Sequence, residues 1–369
     1  MKVAIVGAGI GGLSAAWALR KAGVAVTVFD QGPIPNPLAT SHDEHRITRH
    51  IYPGLDGYGQ LMPEAFRAYD ALWQDLGQRH FEPRPMVHVS RGEVSYFPAA
   101  EAEMNALGIP IRSLPLDGLA AMIPVLETSG IREAFEVGGT GVLFAARIIS
   151  ALAAWLAENG ADLRPHSRVT DVDPDSATVT VDGNRESFDA VIVAAGAWVS
   201  DLVPQAAQRL VPSRQLVLYL EPPQDMASAW AQAPIIIDMG SGSYGAYVLP
   251  PCNGTRLKIG DHRFTRIGHG SDDRTPTAAD IAPVREALTG TLRGSERYRI
   301  IEEKICYYTV SADERFVSEP LGKSGWLLSA CSGHGFKLGP LMGLGVADAL
   351  TGKRAAADVS RWAAGLGGV

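Results

Sequence analysis

The amino-acid sequence predicts an α/β protein in which a Rossmann-like nucleotide-binding domain is interleaved with a β-rich (α+β) domain. Three observations predict this arrangement. A strand–glycine turn–helix–strand unit opens the chain, further buried strands of the same kind occur near its middle and end, and β-type patterns fill the intervening segments. We expect the nucleotide-binding domain to contain residues 1–80, 141–210 and 311–369. The β-rich domain then contains residues 81–140 and 211–310.

The opening unit has the spacing of a dinucleotide-binding turn. An apolar run at residues 3–7 leads into the motif G-x-G-x-x-G, formed by Gly7, Gly9 and Gly12. The first glycine permits the tight turn, the second allows a pyrophosphate to approach the backbone, and the third allows the helix to pack on the strand. The following helix would direct its N-terminal amides at the phosphates.

The same unit ends as a dinucleotide fold requires. A helical pattern from Leu13 to Lys21 is closed by Gly23, and the apolar strand Val24–Phe29 ends at Asp30. An acid at this place can accept hydrogen bonds from ribose hydroxyls. The motif alone fits either NAD or FAD, whereas the discontinuous layout of the nucleotide domain favours FAD.

Other patterns give the remaining elements of the fold. Apolar periodicity predicts further helices and strands along the chain. The predicted helices span Leu61–Leu76, Ala145–Asn159 and Pro340–Leu350, and the predicted strands span Met86–Ser90, Glu93–Phe97, Asp162–Leu163, Val169–Val172, Ala177–Val181, Val191–Ala194 and Trp326–Ala330. The strand at Val191 is expected to join the first strand in one parallel sheet.

Composition excludes several classes of protein. The chain has 369 residues, of which 46% are hydrophobic and 20% charged, and its net charge is −7. An acidic chain of this kind is a poor generic ligand for nucleic acid or anionic membranes, and no uncharged apolar run is long enough to span a bilayer. Three widely spaced cysteines match no zinc motif, so we expect no metal and a cytoplasmic location.

Four dispersed motifs resemble one known family. They are G-A-G-I-G-G with Asp30, S-H-D-E-H-R-I-T-R-H at 41–50, L-K-I-G-D-H at 257–262, and C-Y-Y-T-V-S-A-D-E-R-F from Cys306 followed by S-G-H-G-F-K at 332–337. In this order and spacing they resemble the monomeric sarcosine oxidase and N-methyltryptophan oxidase group of D-amino-acid-oxidase-like flavoproteins. The stretch Ser41–Arg46 is one residue shorter than the usual family segment. The family's flavin-contacting histidine therefore matches His42 only to within one position.

The resemblance implies FAD as the cofactor, joined to Cys306 by a thioether to the 8α carbon of the flavin. The alternative for this thiol is a buried structural cysteine, which remains our expectation for Cys252 and Cys331. The implied cofactor-binding residues are Gly7, Gly9, Gly12, Asp30, His42, Val169, Gly196, Cys306, Gly333 and Gly335.

The resemblance also implies a catalytic and substrate-binding set. Lys258 would assist the reaction with dioxygen, because a fixed ammonium stabilises developing negative charge. Arg46 would lie near the flavin, and Arg49 with Lys337 would hold a substrate carboxylate. The resemblance implies four further pocket residues, for which the motif match is less specific: Tyr247, His262, Tyr308 and His334.

The function implied is oxidation of a secondary amino acid, N-methyl or cyclic, by a cytoplasmic monomer. A hydride equivalent passes to the flavin, water hydrolyses the resulting imine, and dioxygen yields hydrogen peroxide. Three alternatives remain open: a dehydrogenase that passes electrons to a quinone or partner protein, an NAD(P)H-dependent monooxygenase, and a non-enzymatic nucleotide-binding module.

Overall fold

The structure, a computed structural model, describes residues 1–52, 55, 57–240, 245–329 and 331–367. Its elements follow one another from the glycine-rich turn onward. The first group is β1 (Lys2–Val6), α1 (Ile10–Lys21), β2 (Ala25–Phe29), β3 (Arg46–Thr48), α2 (Tyr58–Leu76), β4 (Phe81–Pro83), β5 (Met86–Ser90), α3 (Phe97–Ala106), β6 (Ile111–Ser113), α4 (Leu119–Met122), β7 (Glu133–Val137) and β8 (Gly141–Leu143).

The second group completes the nucleotide-binding sheet and the large antiparallel sheet. It consists of α5 (Ala145–Glu158), β9 (Asp162–Arg164), β10 (Val169–Asp173), β11 (Thr178–Val181), β12 (Asn184–Ser187), β13 (Ala190–Val193), α6 (Val199–Leu202), β14 (Val211–Glu221), α7 (Ala227–Gln232), β15 (Ile235–Asp238), β16 (Ala246–Leu249), β17 (Leu257–Asp261), α8 (Ala278–Thr291), β18 (Arg299–Val310), β19 (Val317–Leu321), β20 (Gly325–Ser329), α9 (Gly335–Leu350) and α10 (Ala356–Ala363).

A six-stranded sheet in the order β19-β20-β13-β1-β2-β9 carries the nucleotide-binding turn. Its neighbours are parallel except for the antiparallel edge pair β19–β20. The prediction that Val191–Ala194 joins the first strand is confirmed, because Ile192 on β13 is paired with Ile5 on β1. Both residues are fully buried, and helices α1, α5 and α9 pack with the sheet in the largest apolar cluster.

The second large sheet has eight strands in the order β18-β14-β17-β16-β15-β5-β7-β6. It is antiparallel apart from the pair β15–β5. All of its strands come from the chain segments 81–140 and 211–310, and all strands of the six-stranded sheet come from the other segments. The domain bounds themselves stay a prediction.

Several predicted helices begin earlier than the apolar pattern indicated. Helix α1 begins at Ile10 rather than Leu13, α2 at Tyr58 rather than Leu61, and α9 at Gly335 rather than Pro340. The first turns of α1 and α9 are glycine-rich, so an apolar period cannot reveal them. The last residue of the predicted strand Trp326–Ala330 lies outside the described residues.

The predicted strand Glu93–Phe97 is wrong. Its residues pair with no strand, and Val94 is 69% exposed. The carboxylate of Glu133 instead accepts hydrogen bonds from the backbone amides of Tyr96 (2.8 Å) and Phe97 (3.3 Å), where α3 begins. Glu133, which lies on β7, therefore caps the start of helix α3. A short alternating pattern in the local sequence cannot indicate such a cap.

Two further sheets of three strands each complete the β structure. One has the order β10-β11-β12, and the other, β3-β8-β4, holds the Arg46 segment. No described helix has both the length and the apolar character needed to cross a membrane.

Candidate functional site

The glycine-rich turn joins β1 to the first turn of α1. Gly7 has φ of +106°, and a Cβ at Gly12 would lie 1.9 Å from the carbonyl oxygen of Gly7. The N-cap residue Gly9 has no side-chain cap, and the first turn of α1 contains no acid. The N-terminal end of α1 is therefore a suitable site for an anionic phosphate.

Replacing Gly12 with alanine is expected to cost about 1–3 kcal/mol of folding free energy and to lower the bound FAD content, because the added methyl would overlap the carbonyl of Gly7. The matched control is Gly290→Ala in α8, where a Cβ meets no atom within 4 Å; helix propensity predicts a gain of about 1 kcal/mol there. Thermal unfolding and the flavin-to-protein absorbance ratio measure both effects. Equal stability of the two variants would contradict the packing role of Gly12.

Asp30 lies at the end of β2 and bonds back to the turn. Its carboxylate accepts hydrogen bonds from the amides of Ala8 (2.9 Å) and Gly32 (2.9 Å) and from Asn36 Nδ2 (2.7 Å). A carboxylate has about four acceptor positions, so room remains for a ribose hydroxyl. The structure thus gives Asp30 a part in shaping the turn that the motif did not indicate, while ribose binding stays a prediction.

A larger cavity of about 360 Å³ opens at this turn. Seven of the ten predicted cofactor-binding residues line it: Gly7, Gly9, Asp30, Val169, Gly196, Gly333 and Gly335. Gly196 has φ of +54°, and a Cβ there would meet no atom within 4 Å. A cavity with a helix N-terminus at its edge, glycine-lined walls and an acid at the β2 end fits a dinucleotide such as FAD.

The other three predicted cofactor residues lie elsewhere. Gly12 packs α1 onto the turn and Cys306 lines the neighbouring cavity. His42 lines neither cavity; its carbonyl accepts a hydrogen bond from Lys304 (3.1 Å). A contact between His42 and the flavin stays a prediction. Ser41, one residue earlier, lines the larger cavity and accepts a hydrogen bond from the Ile10 amide (2.9 Å).

A smaller cavity of about 130 Å³ adjoins the larger one. Four residues line both cavities: Arg46, Tyr308, Gly333 and Phe336. All eight predicted catalytic and substrate-binding residues line the smaller cavity, namely Arg46, Arg49, Tyr247, Lys258, His262, Tyr308, His334 and Lys337. They come from the segment around β3, from β16, β17 and β18, and from the start of α9, so the fold brings together residues almost 300 positions apart.

Two cations at one side of the smaller cavity share an aromatic ring. The guanidinium of Arg49 lies 5.2 Å, and the ammonium of Lys337 5.3 Å, from the ring centre of Tyr52. Burial lowers the pKa of Lys337 well below its usual value, and the charges of Arg49 and Arg46 lower it further. Within the described residues the buried Nε of Arg49 has no hydrogen-bond partner. An anionic ligand would offset the positive charges around Lys337 and would give Arg49 Nε a hydrogen-bond acceptor.

A second charged group lies around Lys258 on β17. The residue is 1% exposed, and its Nζ donates hydrogen bonds to Asp43 Oδ2 (2.9 Å) and the carbonyl of His45 (2.9 Å). Asp43 also pairs with Arg46 and accepts a hydrogen bond from the Tyr219 hydroxyl. Lys258 is thus an ammonium fixed inside the protein and facing a cavity.

The other four predicted pocket residues, His262, His334, Tyr308 and Tyr247, are neutral near pH 7. Burial, reinforced by the charge of Arg49, lowers the pKa of His262 to about 4, and burial holds the pKa of His334 well below its usual value. Burial raises the pKa of Tyr308. The hydroxyl of Tyr247 lies over Gly260, where a Cβ would come within 2.5 Å of it. These groups shape the cavity without adding charge to it.

Sequence reasoning missed several residues of this site, among them Asp43, Tyr52 and Tyr219. An acid three positions before Arg46 was a possible signal for Asp43, but its pairing with a lysine 215 positions away was not. Of the cysteines expected in the core, Cys252 is buried beside Thr255, whereas Cys331 lines the larger cavity.

Comparison with known proteins places these features in a family. Residues 2–349 match the model of the family DAO, described as FAD dependent oxidoreductase. The monomeric sarcosine oxidase of Bacillus sp. (strain B-0618) is 27% identical over 95% of this chain and 92% of its own length. The N-methyl-L-tryptophan oxidase of Salmonella dublin is 26% identical over 96% of each chain. The L-proline dehydrogenase of P. horikoshii superposes with a TM-score of 0.82 at 19% identity, covering 99% of this chain and 96% of that one.

Proposed function

The chain belongs to the DAO family of FAD dependent oxidoreductases, and from this premise we propose that it oxidises a secondary amino acid with dioxygen as electron acceptor. The observation that carries the proposal is the smaller cavity, where Arg49 and Lys337 lie on one side and Lys258 is fixed by Asp43. A carboxylate-binding pair and a separate ammonium in one cavity suit an amino-acid oxidase better than a simple nucleotide-binding protein.

The carboxylate of the substrate is bound by Arg49 and Lys337. Charge-assisted hydrogen bonds from a planar guanidinium and a lysine fix both the position and the rotation of the ligand. The amine and its carbon then face Arg46 and Tyr308, which line both cavities. This pre-positioning lowers the barrier because the reacting groups are already aligned.

When bound, FAD would accept a hydride equivalent from the carbon next to the amine nitrogen and would pass two electrons and two protons to dioxygen, which gives hydrogen peroxide. Arg46 and the glycines of the larger cavity would hold the FAD, and Gly333 lies at the junction of the two cavities. Water hydrolyses the imine product. The amine must be uncharged to release a hydride equivalent, so turnover should rise with pH through the pKa of the bound amine. His262 and His334 are neutral and add no charge beside it.

Lys258 favours an oxidase over a dehydrogenase of the same fold. Superoxide-like charge develops when dioxygen is reduced, and an ammonium facing the cavity stabilises that charge. An oxygen-electrode trace with a secondary amino acid tests this point: the oxidase consumes oxygen and forms an equal amount of peroxide. Turnover with an artificial acceptor but without oxygen consumption would favour the dehydrogenase, and NADPH consumption would favour the monooxygenase.

Cys306 is proposed to carry the flavin covalently. Its side chain lies on β18, lines the smaller cavity, and is acted on by the positive charges of Arg46 and Lys258, which oppose the rise in its pKa caused by burial. These charges only partly offset the effect of burial, which raises the pKa of Cys306, so the proposal depends on the position of the thiol at the cavity and on the family resemblance. We accordingly expect FAD to remain attached to the denatured protein.

Acid precipitation of the yellow holoenzyme tests the covalent bond. The colour should stay with the pellet of the parent protein and appear in the supernatant for Cys306→Ser. The matched control is Cys331→Ser, because Cys331 faces the larger cavity, and its colour should stay in the pellet. Free FAD released from the parent protein would contradict covalent attachment through Cys306 and would have no bearing on the fold.

Assembly and compartment stay predictions from the sequence. We propose a monomer in the cytoplasm whose partners are the small amino-acid substrate and dioxygen. Gel filtration of the holoenzyme at low and high concentration measures the first of these.

A further inference from the structure

A buried carboxylate lies at the centre of the charges around Lys258. Asp43, 5% exposed, precedes β3 and contacts side chains from three other strands. In addition to Arg46, its partners are Lys258 on β17 (2.9 Å), Lys304 on β18 (3.4 Å) and the hydroxyl of Tyr219 on β14. A carboxylate this deeply buried is stable only because these partners keep it ionised, and their charges hold its pKa well below the usual value.

The hydrogen bonds of Lys258 leave one donor for the cavity. An ammonium has three N–H groups. Among the described residues, Asp43 Oδ2 and the carbonyl of His45 accept two of them, each at 2.9 Å. The third N–H is therefore available to the smaller cavity, which Lys258 lines. Two fixed acceptors on one side set the direction of the remaining donor.

We propose that Asp43 is a positioning residue that keeps Lys258 charged and directs its free N–H at the place where dioxygen is reduced. The inference rests on the proposed oxidase function. Asp43 also lines the smaller cavity, but both of its carboxylate oxygens are paired with protein side chains. It therefore acts through Lys258, and its removal should change the protonation of Lys258 rather than the binding of the amino acid.

The charges around Lys258 determine the sign of the effect. Burial lowers the pKa of Lys258 to about 8, Arg46 lowers it, and Asp43 raises it. The other groups that face Lys258 act more weakly. They are the uncharged ring of His45 before β3, Tyr219 on β14 with its ring centre 6.0 Å from Nζ, and Cys306 on β18. Without the carboxylate of Asp43, the ammonium loses its proton at lower pH.

Nuclear magnetic resonance of the lysine side chains tests the inference without turnover. The chain has seven lysines, so ¹³Cε-lysine labelling gives a simple spectrum in which Lys258→Met assigns the resonance. We expect Lys258 to titrate near pH 8 in the parent holoenzyme. In Asp43→Asn it should titrate about one to three pH units lower, the usual effect of losing a close opposite charge.

Reoxidation kinetics give the second readout. In the parent enzyme the rate of reaction with dioxygen should fall as pH rises through about 8, and in Asp43→Asn the fall should come at correspondingly lower pH, with substrate KM unchanged. Glu44→Gln is the matched control, because it removes the neighbouring negative charge, which pairs with Arg256 instead. That variant should leave both titrations unchanged.

The outcomes separate this inference from the proposed function. If Lys258→Met reoxidises normally, the oxidase role of Lys258 fails. If Lys258→Met is slow but Asp43→Asn titrates like the parent, only the role of Asp43 is overturned. Should Asp43→Asn fold poorly, the double variant Asp43→Asn/Lys258→Met, which removes both charges of the buried pair, replaces it. Reoxidation as slow as in Lys258→Met alone supports the inference, and a further loss contradicts it.

Discussion

Replacing Arg49 with alanine is expected to raise the KM for amino-acid substrates by about 100-fold, since two charge-assisted hydrogen bonds to the carboxylate would be lost. The guanidinium is buried at the ring of Tyr52, and Lys337 lies at the same ring. A single remaining cation binds a carboxylate without fixing its rotation, so kcat should fall as well. Steady-state kinetics with sarcosine and with proline measure both effects.

Two comparisons make the Arg49 test specific. The uncharged analogues dimethylamine and pyrrolidine lack the carboxylate, so their kinetics should change little. Arg79→Ala is the matched control, because Arg79 also lies against an aromatic ring (4.8 Å from the centre of Phe81) but is exposed and lines neither cavity. Equal losses for charged and uncharged substrates would contradict the carboxylate assignment.

Replacing Lys258 with methionine is expected to slow flavin reoxidation by dioxygen by about 100- to 1,000-fold, the usual effect of removing one group that stabilises developing charge. Anaerobic reduction of the flavin by substrate should stay near the parent rate, because Lys258 contacts Asp43 and His45 rather than the carboxylate-binding pair. Methionine matches the lysine stem in volume, and Asp43 keeps Arg46 and Lys304 as partners. Stopped-flow absorbance follows both half-reactions separately.

The control for Lys258 is another lysine of the same chain. Lys323 is exposed and lies outside both cavities, so Lys323→Met should reoxidise like the parent. Slow reduction with normal reoxidation in Lys258→Met would place this lysine on the amine side of the reaction and contradict its oxygen role.

The sequence predicted those parts of the fold that depend on local pattern. The turn Gly7–Gly12 and the buried strand at Val191 are each specified by a few neighbouring residues, and both occur in the six-stranded sheet. The site residues came from matching dispersed motifs, and the fold brings that set to one cavity.

The parts that sequence reasoning missed depend on distant partners. The strand expected at Glu93–Phe97 is absent because Glu133, about 37 positions later, caps a helix there. Asp43 becomes central only when β14, β17 and β18 bring Tyr219, Lys258 and Lys304 to it. The position of His42 beside the flavin stays a prediction, because its segment is one residue shorter than that of the family. Tertiary charge pairing of this kind leaves no trace in local periodicity.

The most direct test of the account is anaerobic bleaching of the holoenzyme by matched substrate pairs. The flavin absorbance of the purified protein is followed after mixing with sarcosine or dimethylamine, and with proline or pyrrolidine, before oxygen is admitted. We expect bleaching by a secondary amino acid, much weaker bleaching by its decarboxylated partner, and recovery of colour with one peroxide formed per flavin. Equal bleaching by both members of each pair, or colour that fails to return in oxygen, would contradict this expectation.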